Sequence, residues 1–576
     1  MKISKHNIVA VLLGIRSTVE AAIVPVTGIH TGINPERGTF PPRLRIQDLQ
    51  TSGPQWDLYV HAMVAWKSIP EDNELSYFGL SGIHGRPYVA WNGVEQVEGA
   101  PLTGYCTHNE VLFAIWHRPM VAVFEQILAQ HIQAVAALYN ATPTIAETYR
   151  HAADTWRHPY WDWALDKALP DAVVTPNVTI RAPPDGRTTA TLANPLRYYR
   201  FHQFPLNATL FPADDDYHLA SFPTTLRCPD PFNNFTSNPG MASANIAGID
   251  LAGQVYNIYT RVADFGSMSS TACDSTSFEQ EHNEVHVAVG GIHPMGHFAH
   301  LGYSGFDPLF MMHHAAIDRH VALWQTVHAN ASMFGPQEDY QTQTGQFATA
   351  PGTNITADSP LKPFYASANG TFHTPNSARD IATFGYSYPE LLTAQLTAQI
   401  NSINGSRSVN ASSRTKLRQA VTAEINRLYA PKTVSTTKRR LSWSRAVAST
   451  PQTVYFVRIA IEKAGLALPA AVNVFLGTTL AGRLLLLASP PTGRVHGEIG
   501  LENALQISSS QDSDVAVEDV LRQRFRWEVV TLSETHSVTI QVREETVHLP
   551  QSIKEFPIYT NVRILHGLGT EKTTEK

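Results

Sequence analysis

The chain has 576 residues, of which 43% are hydrophobic and 16% charged, and a net charge of −6. That length exceeds one compact core, so two or more domains are expected, and the composition is that of a folded chain. The charge is spread out, which gives no reason to expect nucleic acid or an acidic membrane as partner; three cysteines are too few for a disulfide scaffold or a four-cysteine metal site, and no apolar run reaches the roughly 20 residues that span a bilayer.

Residues 1–25 read as a leader or frayed terminus. Lys2 and Lys5 precede a short apolar run, Ile8 to Ile15, then Arg16 and Val19-Glu20-Ala21-Ala22. Nine N-x-S/T sequons, at Asn140, Asn177, Asn207, Asn234, Asn330, Asn354, Asn369, Asn404 and Asn410, point toward secretion. The brevity of the leader points away from it, and the compartment stays open.

Residues 26–395 are dense in aromatics, histidines and helical patterns, and read as a mainly α domain. The apolar periodicity predicts a helix over 55–68, where Leu58, His61, Ala62 and Ala65 share a face. A second helix is predicted from Asn109 as N-cap, with Glu110 in the first turn and an apolar stripe through Leu128 despite Pro119. A third covers 278–289 and stops at Gly290-Gly291, and a fourth covers 308–328. Together they predict a four-helix arrangement.

Residues 396–450 are rich in Ser, Asn, Thr and Lys and read as a linker. It holds one amphipathic segment, 417–428, and a tribasic cluster, Lys438-Arg439-Arg440, suited to proteolysis. Residues 451–576 then alternate in short runs over 453–459, 472–476 and 537–542, which predicts a small β-rich domain.

The histidines carry the chemistry. Eight of the 25 (His282, His286, His293, His297, His300, His313, His314 and His320) fall within 39 residues. His282 and His286 are four apart on a predicted helix, so they stack on one face and can share a metal. A third imidazole comes from His313 or His314. His314 shares a face with Phe310 and Asp318 and is the chosen ligand, with His313 the runner-up. His84, His108 and His117 form a second, looser set. Nine helical steps put His108 and His117 on opposite faces, so His108 must precede the helix to meet the same metal. Something must hold that loop histidine, and Cys106 is two residues away. An all-imidazole set suits copper and also zinc.

The stretches Tyr105-Cys106-Thr107-His108, Trp116-His117-Arg118-Pro119 and Phe124-Glu125 resemble the first copper motif of fungal tyrosinases. Residues 279–286, from Glu279 to His286, then Phe306-Asp307-Pro308-Leu309-Phe310-Met311-Met312-His313-His314 with Asp318-Arg319, resemble the second. Residues 77–85, around His84, look like the region of the family's first ligand. The resemblance covers about Thr27 to Leu391. It implies a dinuclear type 3 site of two copper ions, one held by His84, His108 and His117 and the other by His282, His286 and His314. It also implies a thioether between Cys106 and His108. The chemistry implied is ortho-hydroxylation of monophenols and oxidation of o-diphenols to o-quinones with dioxygen, of the kind that makes melanin-type pigments.

In such enzymes an acidic residue and an asparagine near the first ligand of the second copper hold a water that takes the phenol proton; Glu279 and Asn283 are the matching positions. Asp307 is expected to orient local structure, Phe310 to pack over the copper-bearing face, and Asp318 to support it. Phe384-Gly385-Tyr386-Ser387-Tyr388 resembles the tyrosine motif that closes the domain, with Arg43 or Arg45 as its partner. The C-terminal region resembles a β-sandwich that covers the site in latent forms and is released by an activating protease. The side chain it inserts is left open by the sequence, with Phe475 a bare candidate. A Cys-x-x-Cys copper-loading pair found in some relatives is absent. A catechol or o-aminophenol oxidase and a haemocyanin-like oxygen binder remain alternatives. A zinc hydrolase is disfavoured because the helix reads His282-Asn283-Glu284-Val285-His286 rather than H-E-x-x-H.

Overall fold

The computed structural model describes residues 23–34, 38–212, 218–292, 294–334, 340–392, 411–431, 451–509, 516–531, 535–568 and 571–575. The leader at 1–22, His293, the sequons Asn404 and Asn410, and the cluster Lys438–Arg440 lie outside these residues.

Five helices frame the first domain: α1 (Pro54–Trp66), α2 (Phe113–Ala136), α3 (Phe278–Gly290), α4 (Leu309–Val327) and α5 (Ala411–Tyr429). Helix α2 packs on α1 and α4, and α3 touches α2 and α4. Ser277 starts α3 by accepting a hydrogen bond from the Gln280 N–H, and Gly291, at φ 82°, ends it in a conformation that favours glycine. All 13 residues of α3 are buried, so this helix has no water-facing side and its polar residues must all find partners or ligands.

The sequence places α1, α3 and α4 to within two residues of their observed ends. The start of α2 differs. Asn109 is not its N-cap; it sits in the left-handed region at φ 54°, and the helix begins at Phe113. The reason is tertiary. The Glu110 carboxylate accepts hydrogen bonds from the backbone of Gln343 (2.8 Å) and Thr344 (3.3 Å) instead of facing its own helix end. Burial pushes this carboxyl up to about 8. His108 therefore does precede the helix, by more than the N-cap reading gave.

The presumed linker also differs. Its amphipathic segment is α5, which packs on α4 and buries Val421, Ile425 and Tyr429 in the core of the first domain. The Tyr429 hydroxyl accepts from Arg319 Nη1 (2.7 Å) and reaches Asp162 (3.2 Å). The first domain thus runs past residue 395 to Tyr429.

The second domain is a β-sandwich. One sheet holds β1 (Gln452–Glu462), β4 (Arg494–Gly500), β6 (Thr535–His548), β7 (Ile558–Ile564) and β8 (Glu571–Glu575), in the order β4-β1-β6-β7 with β8 beside β6. The other holds β2 (Ala470–Leu476), β3 (Thr479–Leu486) and β5 (Phe525–Val530), in the order β5-β2-β3. All pairings are antiparallel, as expected for alternating runs. Val457, Ile459 and Ile461 of β1 face Val472 and Val474 of β2 across the domain's own core.

Candidate metal centre

Three groups of metal-capable side chains lie together: His282, His286, His313 and His314; His84, Cys106 and His108; and His84, His117 and His314. Within each group the donor atoms lie within 4.8 Å of one another. Every histidine among them is buried, and no carboxylate belongs to these groups among the described residues.

The rings are aimed by the backbone. His84 Nδ1 donates to the Leu301 carbonyl (3.0 Å), His117 Nδ1 to Phe113 (2.7 Å) and His286 Nδ1 to Phe298 (2.6 Å). His282 Nδ1 donates to Asn283 Oδ1 at 2.9 Å. Each bond fixes the tautomer, so the Nε2 lone pair points the other way. The Nε2 atoms of His84, His117 and His286 are buried without a protein partner, as are both ring nitrogens of His108. Buried acceptors left bare on one centre are costly unless an ion takes them, which is how these residues fit a metal. Burial also holds His117 down to about 3 and His286 down to about 4, and holds His84, His108, His282 and His314 well below the usual imidazole range, so the imidazoles are neutral and ready to ligate.

His314 stands between the two sets. Its ring lies 4.3 Å from His117 and 4.9 Å from His282, and its Nε2 meets His282 Nε2 at 3.3 Å. His313 is near only the second set, stacked on the flat of His282 at 4.9 Å and 21°. The tip-to-tip contact favours His314 as the third donor. Phe310 packs against both sets, 4.6 Å from His84 and 4.3 Å from His314. Three further described histidines of the cluster have structural work: His297 accepts from the Leu226 N–H, His300 from the Gly302 N–H, and His320 bonds the Tyr259 hydroxyl.

Glu279 is one turn before His282, but its carboxylate is occupied. It accepts from Asn109 N, Ser270 Oγ, Thr271 N and Thr271 Oγ1. Burial raises its pKa despite these donors. Its visible task is to pin residue 109, directly after His108, to α3. That is a restraint of the kind the loop histidine needed.

Asp307 and Asp318 brace the frame and touch no ligand ring. Asp307 pairs with Arg227 (2.6 Å) and accepts from Leu309 N at the start of α4. Asp318 pairs with Arg118 (2.6 Å) and Arg43 (3.1 Å) and accepts from the hydroxyls of Tyr386 and Tyr388, both at 2.6 Å. The partner of the tyrosine motif is therefore Arg43, whose guanidinium lies 3.5 Å over the Tyr386 ring; Arg45 pairs with Asp166.

The β-sandwich sits on this centre. Gln280 pairs with strand β4 through Glu498, Arg261 holds Glu498 and Glu545, Arg483 reaches Glu284 at 2.9 Å, and Arg458 reaches Asp274 at 3.1 Å. Inside that polar seam, Ala471, Leu485 and Leu487 pack on Val287 and Leu301. The cavity between His108, Glu279 and Asn283 below and Lys463, Leu485, Leu486 and Leu487 above has a volume of about 10 Å³. That is room for no more than about one water. Phe475 is not there. Its ring lies 3.6 Å beneath Arg526 of β5. Lys463 is the group that sequence reasoning missed; it follows the alternation of β1 with no mark of its own. Burial lowers its ammonium to about 7, against the pull of Glu279 and Glu462.

Residues 74–327 match the family model described as the common central domain of tyrosinase. The chain is similar to a tyrosinase of Podospora anserina, 35% identical over 392 residues, covering 64% of this chain and 65% of that one. It is similar to a tyrosinase of Neurospora crassa at 32% identity, covering 63% and 54%. These matches span less than two thirds of the relatives' own length. A solved structure described as latent and active mushroom tyrosinase superposes with a TM-score of 0.76 at 23% identity, over 95% of this chain and 99% of that one. That likeness extends to the fold of both domains.

Proposed function

We propose that the chain is a member of the tyrosinase family, a family of dinuclear copper enzymes, and that it oxidises phenols with dioxygen at the buried histidine centre. His84, His108 and His117 hold one copper; His282, His286 and His314 hold the other. The observation that carries this is the set of bare Nε2 atoms, each opposed by an Nδ1 bond to a fixed acceptor. When bound, the copper pair supplies the redox chemistry that reduces dioxygen and oxidises the phenol.

The chain's own residues supply the rest. The backbone acceptors orient the imidazoles, and Phe310 packs against both sets and helps to keep them dry. Glu279 and Cys106 fix the His108 loop, and a thioether from Cys106 to His108 makes that restraint covalent. The β-sandwich is an inhibitory cover, since a phenol ring has no room in about 10 Å³. We infer that a protease acting between α5 and β1 releases it. The solved relative described as latent and active has the same two-domain fold.

A second reading has an observation in its favour. Both groups expected to hold a proton-accepting water are engaged elsewhere: Glu279 accepts four hydrogen bonds and Asn283 Oδ1 accepts one from His282 Nδ1. This arrangement favours oxidation of diphenols over hydroxylation of monophenols.

The test is copper content followed by oxygen uptake with tyrosine and with catechol, before and after limited proteolysis. Two coppers per chain and uptake that rises on cleavage are expected. A copper-loaded, cleaved protein that consumes no oxygen with either substrate overturns the proposal, and uptake with catechol alone selects the second reading.

A further inference from the structure

Seven of the nine sequons fall among the described residues: those at Asn140, Asn177, Asn207, Asn234, Asn330, Asn354 and Asn369. All seven asparagines are exposed. Of the 15 other described asparagines only six are exposed: Asn34, Asn73, Asn233, Asn376, Asn503 and Asn561. The motif therefore picks out surface asparagines more sharply than residue type alone does. The set is also one-sided. Every sequon lies between residues 140 and 410, and none lies in the β-sandwich. None of the asparagines that contact across the seam, such as Asn426 and Asn503, is part of one.

One of the seven has an unusual neighbour. Phe232 is 99% exposed, although a ring of that size is normally buried or covered. It stands two residues before Asn234, in Phe232-Asn233-Asn234-Phe235-Thr236. This turn joins the paired segments Pro229–Asp230 and Thr236–Ser237. The turn is tightly built. Asp230 accepts from the Phe232 N–H through its side chain (3.0 Å) and from the Phe235 N–H through its carbonyl (2.9 Å), and Asn234 and Phe235 are left-handed at φ 50° and 53°. The second aromatic, Phe235, rests 5.7 Å from Phe222, which leaves Phe232 as the one ring of the turn fully in water. A pyranose has one face of C–H bonds, and an aromatic ring two residues before the modified asparagine of a tight turn is placed to receive it.

We propose that the catalytic domain is N-glycosylated, and that the first N-acetylglucosamine on Asn234 covers the Phe232 ring. The transfer needs a lipid-linked diphosphate oligosaccharide as donor. The bond from sugar C1 to the diphosphate oxygen breaks, the C1–Nδ2 bond forms, and Nδ2 gives up one proton to the released diphosphate. The chain therefore passes through the compartment that holds this donor, and the sugars stay with the catalytic domain when the cover is removed.

Protein purified from its native source is treated with a peptide N-glycosidase in heavy-oxygen water, which converts each glycosylated asparagine into a labelled aspartate, and its peptides are weighed. Label on Asn234 and on most of the other six is expected; an unlabelled Asn234 overturns the proposal. F232A and N234Q, made in a secreting fungal host, test the ring. N234Q is expected to lower the melting temperature of the otherwise unsubstituted protein and to leave that of F232A unchanged. An equal loss in F232A shows that the sugar does not rest on Phe232. A change of oligomeric mass caused by F232A alone identifies the ring as a protein contact and overturns its assignment to the sugar.

Discussion

Gln280 and Glu498 exchange two hydrogen bonds, from Gln280 Nε2 to the Glu498 carbonyl and from the Glu498 N–H to Gln280 Oε1, both at 3.1 Å. A side chain on the histidine-bearing helix α3 thus pairs with β4 as a neighbouring strand does. Gln280→Ala removes both bonds and leaves two backbone groups of the cover unpaired, at roughly 1–3 kcal/mol. The open fraction of the uncleaved chain is expected to rise about tenfold. Oxygen uptake with catechol by the intact protein measures it; an unchanged rate means that other contacts hold the cover.

Asn283→Ala takes away the acceptor that fixes the His282 tautomer at 2.9 Å. Loss of such a partner typically weakens metal binding by about 10–100-fold, and that loss is expected in a copper competition assay against a chelator. Asn283→Asp keeps the acceptor and is expected to keep the copper. If Asn283 also serves the phenol proton, tyrosine turnover by the aspartate variant falls more than catechol turnover; an equal fall assigns it to positioning alone.

The proposed Cys106–His108 thioether has a mass signature. The cysteine is a free thiol in the structure, and the peptide spanning 105–109 is expected to lose two hydrogens when copper-loaded protein turns over dioxygen. An alkylatable Cys106 after turnover refutes the bond. Cys106→Ala is expected to weaken copper retention at the first site while Glu279 still restrains the loop.

Truncation distinguishes the two domain boundaries. A chain ending after Ala430 keeps Val421, Ile425 and Tyr429 in the core and is expected to be soluble and uncovered. One ending after residue 395 loses those three buried side chains, roughly 5–9 kcal/mol of burial. It is expected to melt far lower or to aggregate; equal melting temperatures return α5 to the linker.

Asp318 predicts an acid limit. Its burial alone raises the carboxyl pKa, but Arg118, Arg43 and the hydroxyls of Tyr386 and Tyr388 outweigh that and hold it below its ordinary 3.8. A depressed folded-state pKa gives stability that is complete above the unfolded value and is lost as pH falls through the folded one. The unsubstituted protein is expected to keep this contribution at pH 5 and to lose it progressively below about pH 4. Asp318→Asn forfeits it at every pH, at about 3–5 kcal/mol for a broken buried pair. Denaturant unfolding across pH reads both; parallel curves for the two proteins show that the carboxylate charge contributes nothing.

Local pattern carried much of this. The four-residue step from His282 to His286 and the glycines after it were legible because helix periodicity and termination are properties of neighbours. The alternation of β1, β2 and β6 was legible for the same reason. What failed depended on residues far apart in sequence. Asn109 looks like an N-cap until Glu279, 170 positions away, takes its N–H. The amphipathic run at 417–428 looks like part of a loose linker until Arg319 and Asp162 meet Tyr429. Nothing in the sequence chooses Arg43 over Arg45, since only the fold decides which reaches Asp318. Lys463 carries no motif, and its place over the centre is a result of how two domains dock.

The seam between those domains has a further consequence for its two halves once they part. Its outer ring is ionic on both sides, Arg261 and Asp274 below, Glu498 and Arg458 above, so each half can meet water with little penalty and neither is left with a broad sticky scar. The apolar island within it is small, and on the catalytic side it comprises Val287 and Leu301, with Ile292 beside them. That island borders the histidine centre. The side chains that hold the cover down are therefore the same few that its removal would bare to water beside the centre.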